Sequence, residues 1–304
     1  MQIFLIRHAE TVHNVAQALA GTTDSALTNH GTLQIECLGQ FLASNFHRFD
    51  SIFASDLTRA RLTAEGICRH QPSKENGTPI VPTTSQDLRE KDYGSLEGTC
   101  WRGSSSSRHN KNNHRHDDSS PRHVAGESSV SMKRRAISFL DAHLIPLIFE
   151  PACAKNTIAI VSHGVFLRVL WTCLVELFDS INISLTPGIC PQHKGLPSHL
   201  IPSWSNTGYM VVSIHSHPLP PPLPPRAGSI PKIQSTMNQE QSAINTMSEI
   251  QESAMLNRLL QGWSMQILTV NNKEHLSGLR RAGGGIGSAS HDTRQKKIDH
   301  FFQK

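Results

Sequence analysis

The sequence lacks the short motifs that hold a zinc ion or cradle a nucleotide. Its six cysteines stand far apart and include no Cys-x-x-Cys pair. Neither a zinc site nor a disulfide framework is therefore indicated, and a reducing compartment is the simpler expectation. No glycine-rich Walker loop and no Gly-x-Gly-x-x-Gly motif stands near any strand-like segment. Any affinity for phosphate must then come from side chains rather than from a nucleotide-binding loop.

Aromatic residues are scarce, and no long apolar run is free of charge. Phenylalanine, tryptophan and tyrosine make up 6% of the chain, which argues against a stacking surface for single-stranded nucleic acid. The longest apolar region, 157–178, contains Arg168 and Glu176 and is a poor membrane span. Arg7 and His8 interrupt the first apolar run too early for a signal peptide. We therefore expect an intracellular, cytoplasmic protein with neither a membrane nor a nucleic acid as a direct partner.

Three short apolar runs each end in polar residues. They cover residues 3–6, 51–54 and 157–161, and each has the composition of a strand that is buried on both faces. The polar residues that follow the runs are Arg7 and His8, then Ser55 and Asp56 with Arg59 on the next turn, and finally His163. The shared pattern indicates that the three strand ends have related roles.

Helical patterns separate these runs. One begins at Thr28, a candidate N-cap, and others cover residues 57–68 and 130–148. Strands that alternate with helices predict an α/β fold, a three-layer sandwich whose mainly parallel sheet is flanked by helices. Two later strand-like segments, 207–215 and 263–271, are expected to be neighbours. Since ligands bind outside the carboxyl ends of the strands in such sheets, the polar residues should meet along one edge.

Two segments and a tail interrupt this pattern. Residues 102–125 are rich in Ser, His, Asn and Arg, and residues 216–262 begin with a proline-rich stretch and continue polar. Both are low in complexity and are predicted to be insertions that cannot form a core. The histidines of the first lack the regular spacing of metal ligands. We therefore predict one α/β domain over residues 1–276, with these two segments as insertions, and a flexible basic tail over 277–304.

Two histidines and two arginines would meet at the predicted sheet edge: His8, His163, Arg7 and Arg59. Such a patch of positive charge and donors would repel itself unless an anion joined it, and the net charge of +5 also suits an anionic substrate. A phosphoryl group fits the arginine forks, and an imidazole can serve as a covalent nucleophile. Singly, Arg7 reads as a solvated charge and His163 as a core histidine; their joint occurrence favours a phosphate site.

Several stretches resemble, in family order, the motifs of the histidine phosphatase superfamily, in the branch that contains cofactor-dependent phosphoglycerate mutase. These stretches are "LIRHAET" (5–11), "DSALTNHG" (24–31), "SDLTRARLTAE" (55–65), "LREKDYGSLEG" (88–98), "VSHG" (161–164) and "SNTGY" (205–209). Each motif alone is weak, whereas their order along one chain is highly specific.

The resemblance implies a role for each residue of the patch. His8 would attack the phosphoryl group and become a phosphohistidine, while Arg7, Arg59 and His163 hold the equatorial oxygens. Asn14 falls where the family places a phosphate-contacting asparagine. His8 must be neutral on its attacking nitrogen, so its other nitrogen should donate to a backbone carbonyl. No metal and no cofactor is implied, because the arginines supply the positive charge.

The acid is the least secure of these assignments. The family motif assigns it to Glu90, which would protonate the leaving oxygen and then activate water. Asp92 or Glu97 could take this role instead, since the segment is a charged loop. The stretch 102–125 occupies the region where mutases hold the residues that grip a phosphoglycerate. The sequence therefore favours phosphomonoester hydrolysis over mutase activity and does not identify the substrate.

The end of the chain carries a second resemblance. Gln295, Ile298, Phe301 and Phe302 match Q-x-x-I-x-x-F-F, which resembles the peptide that docks on sliding DNA clamps. Residues 282–290 upstream have the composition of a flexible linker, which would present the peptide free of the fold. Alternatively, the two phenylalanines pack the tail onto the catalytic domain.

A different class of function also stays open. The chain could be a non-catalytic adaptor that retains a phosphatase fold and binds a clamp through its tail. The basic pairs at 280–281 and 296–297 could serve as a weak nuclear import signal, which a clamp partner requires.

Overall fold

A computed structural model describes most of the chain. The described residues are 1–45, 48–74, 77–101, 124–187, 202–216, 260, 262–283 and 285–292. The low-complexity segments predicted to be insertions lie almost wholly outside these ranges, and so do the clamp-like residues 295–302. None of the described helices is long and apolar enough to cross a membrane.

Strands and helices alternate through the first two thirds of the chain, as predicted. The strands are β1 (Gln2–Arg7), β2 (Ser51–Ser55), β3 (Thr83–Ser85), β4 (Thr157–Ser162), β5 (Ile183–Leu185), β6 (Tyr209–Ser216) and β7 (Trp263–Asn272). The helices are α1 (Val12–Ala16), α2 (Asn29–Ser44), α3 (Thr58–Arg69), α4 (Ser129–Phe139), α5 (Ile145–Phe149) and α6 (Gly164–Glu176). Thr28 is the N-cap of α2, since its side chain accepts a hydrogen bond from the Gly31 N–H at 2.9 Å.

The seven described strands form one sheet in the order β3-β2-β4-β1-β6-β7-β5. β1, β2, β3 and β4 pair in parallel, as do β5 and β7. β6 pairs antiparallel with β1 on one side and with β7 on the other. The sheet is therefore mainly parallel, with β6 as the reversed strand, and the predicted neighbours β6 and β7 are indeed paired.

The side chains of β1 alternate between two apolar layers. Ile3 and Leu5 belong to a cluster that includes residues of α4 and α6, and Phe4 and Ile6 belong to a second cluster with residues of α2 and α3. All four side chains are fully buried. Helices therefore cover both faces of the sheet, and the predicted three-layer sandwich is confirmed.

The predicted helix over 130–148 is interrupted. α4 runs into a π-helical turn at Leu140–Leu144, and α5 follows with Pro146 in its first turn. Proline has no N–H to donate and its ring crowds the preceding turn, so the regular hydrogen-bond ladder cannot continue through it. The apolar stripe on which the prediction rested is present nonetheless, since Leu140 and Leu144 are fully buried.

The segment expected to be a free linker, 282–290, contacts the domain. The Asn29 N–H donates to the Ala289 carbonyl at 3.0 Å, and the His291 N–H donates to the Leu27 carbonyl at 2.9 Å. Arg281 forms an ion pair with Glu10. The linker prediction is therefore wrong for this part of the tail, because its backbone groups pair with the entrance to α2.

Candidate active site

Three parallel strands bring the predicted residues to one sheet edge. β4 lies between β1 and β2, and Arg7 at the end of β1 is in register with Ser162 at the end of β4. The His8 N–H donates to the Ser162 carbonyl at 2.9 Å, which fixes the residue just beyond β1 against β4. His163 follows directly and is the N-cap of α6. The predicted meeting of strand ends is confirmed.

His8 is a neutral imidazole with one nitrogen available for attack. Its Nδ1 lies 2.7 Å from the Ala9 carbonyl oxygen. Because a carbonyl only accepts, Nδ1 carries the hydrogen and Nε2 keeps its lone pair. Burial lowers the pKa of His8 well below 6.5, and the nearby charges of Arg59 and Arg7 lower it further. The predicted backbone hydrogen bond is therefore present.

His163 stands beside His8 with unused hydrogen-bonding capacity. Its ring centroid lies 5.0 Å from that of His8, and the residue is fully buried. Within the described part of the chain, neither ring nitrogen has a hydrogen-bond partner. Burial lowers the pKa of His163 well below 6.5, and Arg59 and His8 lower it further. A buried polar group without a partner is costly, so a ligand oxygen is a natural partner for this ring.

The Arg7 guanidinium is held at one end and unsatisfied at another. Its Nη1 donates to the Trp204 carbonyl at 2.8 Å, whereas its buried Nε has no partner among the described residues. Burial lowers the pKa of Arg7, and the charge of Glu90 raises it. A Cβ at Gly164 would lie 3.4 Å from this Nε, so the first turn of α6 passes close to the guanidinium.

Backbone carbonyls of the loop before α2 hold the Arg59 side chain. Nη1 donates to Thr23 at 2.9 Å, and Nη2 donates to Ala20 and Gly21 at 2.9 and 2.6 Å. The residue is 1% exposed, although it carries a charge. Gly21 allows this arrangement, because a Cβ there would overlap the Lys91 carbonyl oxygen. The guanidinium is therefore fixed before any substrate arrives.

Glu90 lies at the N-terminus of α6. Its carboxylate accepts hydrogen bonds from the N–H groups of Lys91, Phe166 and Val165 at 2.9, 3.0 and 3.1 Å. Among the neighbouring charges, that of Glu90 contributes most to raising the pKa of Arg7 and of Arg59. A carboxylate beside both guanidinium groups is suitably placed to exchange a proton with a bound phosphate ester.

The two alternative acids are occupied elsewhere. Glu97 accepts hydrogen bonds from the Thr22 and Thr23 N–H groups, each at 2.8 Å. Asp92 accepts from the Gly94 N–H at 2.6 Å. Glu97 therefore supports the loop that holds Arg59, and Asp92 supports a turn. Glu90 also accepts backbone hydrogen bonds, but it is the one of the three whose charge contributes most to raising the pKa of both Arg7 and Arg59, and this proximity favours it.

A cavity of about 370 Å³ opens beside Glu90. Its described lining is polar and consists of Thr22, Gln86, Asp87, Arg89, Glu90, Asp92, Glu127, Ser131 and Arg135. Arg89 pairs with Asp56 at 2.6 Å, and Arg135 pairs with Glu127 at 2.8 Å. Each cation of the described lining thus has its own carboxylate. Glu90 belongs to this lining, whereas Arg7, His8, Arg59 and His163 do not.

Sequence reasoning missed the contribution of one loop. Asn14 lies in the first turn of α1, and its Oδ1 accepts a hydrogen bond from Asn206 at 2.9 Å. Asn206 also donates to the His8 carbonyl, and Trp204 holds Arg7. The motif "SNTGY" was visible, but it indicated only the start of a strand.

Acid should destabilise this protein, and His275 should be one of the causes. Burial lowers the pKa of His275 to about 4, whereas an unfolded histidine titrates near 6.5. As the pH falls below about 6.5, His275 becomes protonated in the unfolded chain but stays neutral in the folded chain. This difference lowers the free energy of unfolding by about 1.4 kcal/mol per pH unit until the pH reaches the folded pKa. Urea unfolding at pH 7 and pH 5 measures the effect, which His275→Phe should reduce. An equal pH dependence in the variant would contradict this assignment.

These features suit the binding of an anion: a neutral imidazole with two guanidinium groups near enough to lower its pKa, and a carboxylate that raises the pKa of both arginines. A family model of the histidine phosphatase superfamily (branch 1) matches residues 3–184. The chain belongs to this superfamily, and the resemblance noted in the sequence is confirmed.

Three curated relatives describe the range of the family. A probable phosphatase of Schizosaccharomyces pombe is 30% identical over 303 residues, which cover 99% of this chain and 79% of the relative. A broad-specificity phosphatase of Saccharomyces cerevisiae is 37% identical over 98 residues, which cover 32% of this chain and 41% of the relative. A 2,3-bisphosphoglycerate-dependent phosphoglycerate mutase of Beijerinckia indica is 32% identical over 203 residues, which cover 62% of this chain and 85% of the relative.

Proposed function

We propose that the protein is a phosphomonoester phosphatase that acts through a phosphohistidine. The observation that carries the proposal is the protonation state of His8: Nδ1 is 2.7 Å from a carbonyl, which leaves Nε2 as an unprotonated nucleophile. Arg7 and Arg59 lie near enough to this ring to lower its pKa. A dianionic phosphoryl group would neutralise that surplus of positive charge, while the imidazole stays uncharged for attack.

The reaction would proceed in two displacements. In the first, Nε2 of His8 bonds to phosphorus as the bond to the leaving oxygen breaks, and Glu90, which would enter the cycle as the protonated carboxylic acid, gives that oxygen its proton. Arg7, Arg59 and His163 would stabilise the three equatorial oxygens. In the second, water attacks phosphorus and gives its proton to Glu90, the N–P bond breaks, and inorganic phosphate leaves. Both His8 and Glu90 return to their starting states.

Hydrolysis is favoured over the mutase reaction of the Beijerinckia relative. A mutase must retain its substrate while the phosphoryl group moves, whereas a phosphatase needs only water as the acceptor. The arginines of the described cavity lining, Arg89 and Arg135, are already paired with carboxylates. They are poorly suited to grip a second anionic group of a phosphoglycerate. Both yeast relatives are named as phosphatases, which also favours hydrolysis.

A panel of phosphomonoesters tests the proposal. Aryl, alkyl and sugar phosphates are incubated with the wild-type protein in the presence of a chelator, and release of inorganic phosphate is measured. We expect turnover of several members. A second assay offers 3-phosphoglycerate with its bisphosphate. Interconversion that outruns phosphate release would identify a mutase instead.

We propose a second role for the tail, binding of a sliding DNA clamp through Gln295, Ile298, Phe301 and Phe302. The motif favours it, and docking of the chain up to His291 would place the peptide a few residues beyond a fixed point. A helical turn would bring the three apolar side chains to one side as a plug, with Gln295 in a separate polar pocket. Such a partner would require at least part of the protein to be nuclear.

Calorimetry of the full-length protein against the clamp of the same organism tests this role. Binding in the micromolar range is expected, and the double variant F301A/F302A should abolish it while leaving phosphatase activity unchanged. If the native protein produces no heat of binding, the tail has another role, such as packing against the catalytic domain.

A further inference from the structure

A short loop before β6 donates hydrogen bonds to backbone carbonyls at the end of β1. The Trp204 indole N–H donates to the Leu5 carbonyl at 3.1 Å, and the Thr207 N–H donates to the Arg7 carbonyl at 3.1 Å. Thr207 adopts a positive φ of 55°, which is costly for a β-branched residue. The loop therefore keeps a strained backbone conformation where it contacts the end of β1, next to His8.

The side chain of Asn206 joins two parts of the phosphate site. Its amide nitrogen donates to the His8 carbonyl at 3.1 Å and to Oδ1 of Asn14 at 2.9 Å. A side-chain amide has two hydrogens to donate, and here each has an acceptor. One residue thus connects the backbone of the nucleophile to the asparagine that the family resemblance places on the phosphate.

This contact determines which way the Asn14 amide faces. Oδ1 of Asn14 also accepts from the Thr11 N–H at 3.1 Å, so both of its lone pairs are used. The opposite orientation of the amide would point its NH₂ group at two donors. The oxygen is therefore held against the Thr11 and Asn206 donors, and the NH₂ group is the part of the amide that remains to donate to an anion.

The neighbouring residues also fix the backbone of Asn206. The Thr207 hydroxyl donates to the Asn206 carbonyl at 2.7 Å, and His275 lies with Nε2 3.0 Å from the same hydroxyl. Since that hydroxyl hydrogen is used, His275 is the donor of the second bond. His275 is itself buried in a short 3₁₀ turn just after β7. The position of Asn206 is therefore set by contacts between the loop before β6 and the turn after β7.

We propose that Asn206 is a positioning residue of this enzyme, which orients the Asn14 amide toward the phosphoryl group and holds the His8 backbone in place. The inference rests on the proposed function, since it assigns Asn14 to phosphate. Asn206 acts only through these two partners. Loss of its amide would leave the Thr11 N–H as the remaining donor to the Asn14 oxygen, and the Thr207 N–H at 3.3 Å as the remaining donor to the His8 carbonyl, so both groups would be held less firmly.

A double-mutant cycle on Asn14 and Asn206 tests the proposal. The readouts are the inhibition constant of vanadate, a phosphate analogue, and kcat/KM for an aryl phosphate. N14A and N206A should each weaken vanadate binding about tenfold, as expected for loss of a hydrogen bond to a charged group. In the N14A background, N206A should cost at least about threefold less than in the wild type, because its main partner is already absent. Equal costs in both backgrounds would overturn the proposal.

Two further variants keep the test specific. S205A removes a hydroxyl of the same loop that accepts from Asn271 at 3.2 Å, but it leaves both bonds of the Asn206 amide intact. Its vanadate affinity should stay within about twofold of the wild type. If N206A does not fold, the isosteric N206D, whose carboxylate cannot donate, replaces it in the cycle.

The outcomes for Asn206 and for the phosphatase proposal are separable. Vanadate affinity can be measured by fluorescence or calorimetry without turnover, so the cycle is read even in an inactive protein. Absence of hydrolysis by the wild type would remove the proposed function alone. Turnover by the wild type with an additive cycle would remove the role of Asn206 alone.

Discussion

Replacing His8 with alanine should lower kcat/KM for phosphomonoesters by at least about a thousandfold. The reason is geometric: the hydrogen bond from Nδ1 to the Ala9 carbonyl fixes the His8 ring with Nε2 unprotonated, whereas neither ring nitrogen of His163 has a partner among the described residues that would fix its orientation. His163 is the nearest imidazole, with its centroid 5.0 Å from that of His8. The same variant should fail to retain radioactive phosphate after rapid acid-free quenching of a turnover with labelled substrate. The wild type should retain label that is lost in acid and stable in alkali, as a phosphoramidate requires.

H70A is the matched control for this experiment. His70 is a half-buried histidine at the C-terminal end of α3, and its Nε2 lies 3.1 Å from the Glu36 carboxylate. Its removal should change activity by less than about twofold, because its described contacts are with α2 and not with the site residues. Label retained by H8A, or activity within tenfold of the wild type, would mean that a different residue forms the covalent intermediate.

Replacing Glu90 with glutamine should change the dependence of the rate on the leaving group. Alkyl phosphates need a proton on the departing oxygen, so their hydrolysis should fall by about a hundredfold or more. Aryl phosphates with acidic phenols leave without that help and should lose less than about tenfold. Steady-state rates for a series of esters of graded leaving-group pKa measure the change as a steeper slope.

Because Glu90 also accepts backbone hydrogen bonds, the effect of E90Q on the chemistry must be separated from its effect on the structure. Its oxygens accept from Lys91, Val165 and Phe166, and a glutamine would turn an NH₂ group toward at least one of these N–H groups. E90Q should therefore also lower the thermal midpoint of unfolding. E97Q is the matched variant, since Glu97 holds two backbone N–H groups of the neighbouring loop. A purely structural role for Glu90 predicts that both ester types slow equally, as they should in E97Q.

The sequence was sufficient for the residues whose placement follows from sheet geometry. Arg7, His8 and His163 directly follow apolar runs, and parallel strands bring their carboxyl ends to one edge whatever the details of the loops. Arg59 could be placed because it begins the helix after β2. The tautomer of His8 was also predictable, since a nucleophilic nitrogen requires the other nitrogen to donate.

The contacts made by backbone atoms could not be predicted. Three carbonyls of residues 20–23 hold Arg59, and any residue type supplies a carbonyl. The two hydrogen bonds that the Asn206 amide donates depend on a loop that lies 198 residues after His8 in the sequence. Such contacts leave no periodic pattern in the sequence, because they depend on how distant loops happen to meet.

The glycine-rich segment near the end was misjudged for a related reason. Composition treats glycine as a source of flexibility, whereas Gly285 adopts a positive φ of 80° that a tight turn requires. The turn then directs residues 289–291 along the entrance to α2. The same residue type serves both a flexible linker and a well-defined turn, and only the tertiary contacts distinguish them.

The docked segment also bears on where the catalytic unit ends. Arg281 supplies the positive partner for Glu10, a carboxylate only two positions beyond the nucleophile, and the Thr28 hydroxyl donates to the other oxygen at 2.8 Å. A protein shortened after residue 276 would keep every strand of the sheet. It would also leave Glu10, two positions after His8, without its Arg281 partner. For crystallisation or enzymology, the C-terminal boundary therefore belongs after His291, so that this ion pair and the backbone contacts of residues 289–291 are preserved.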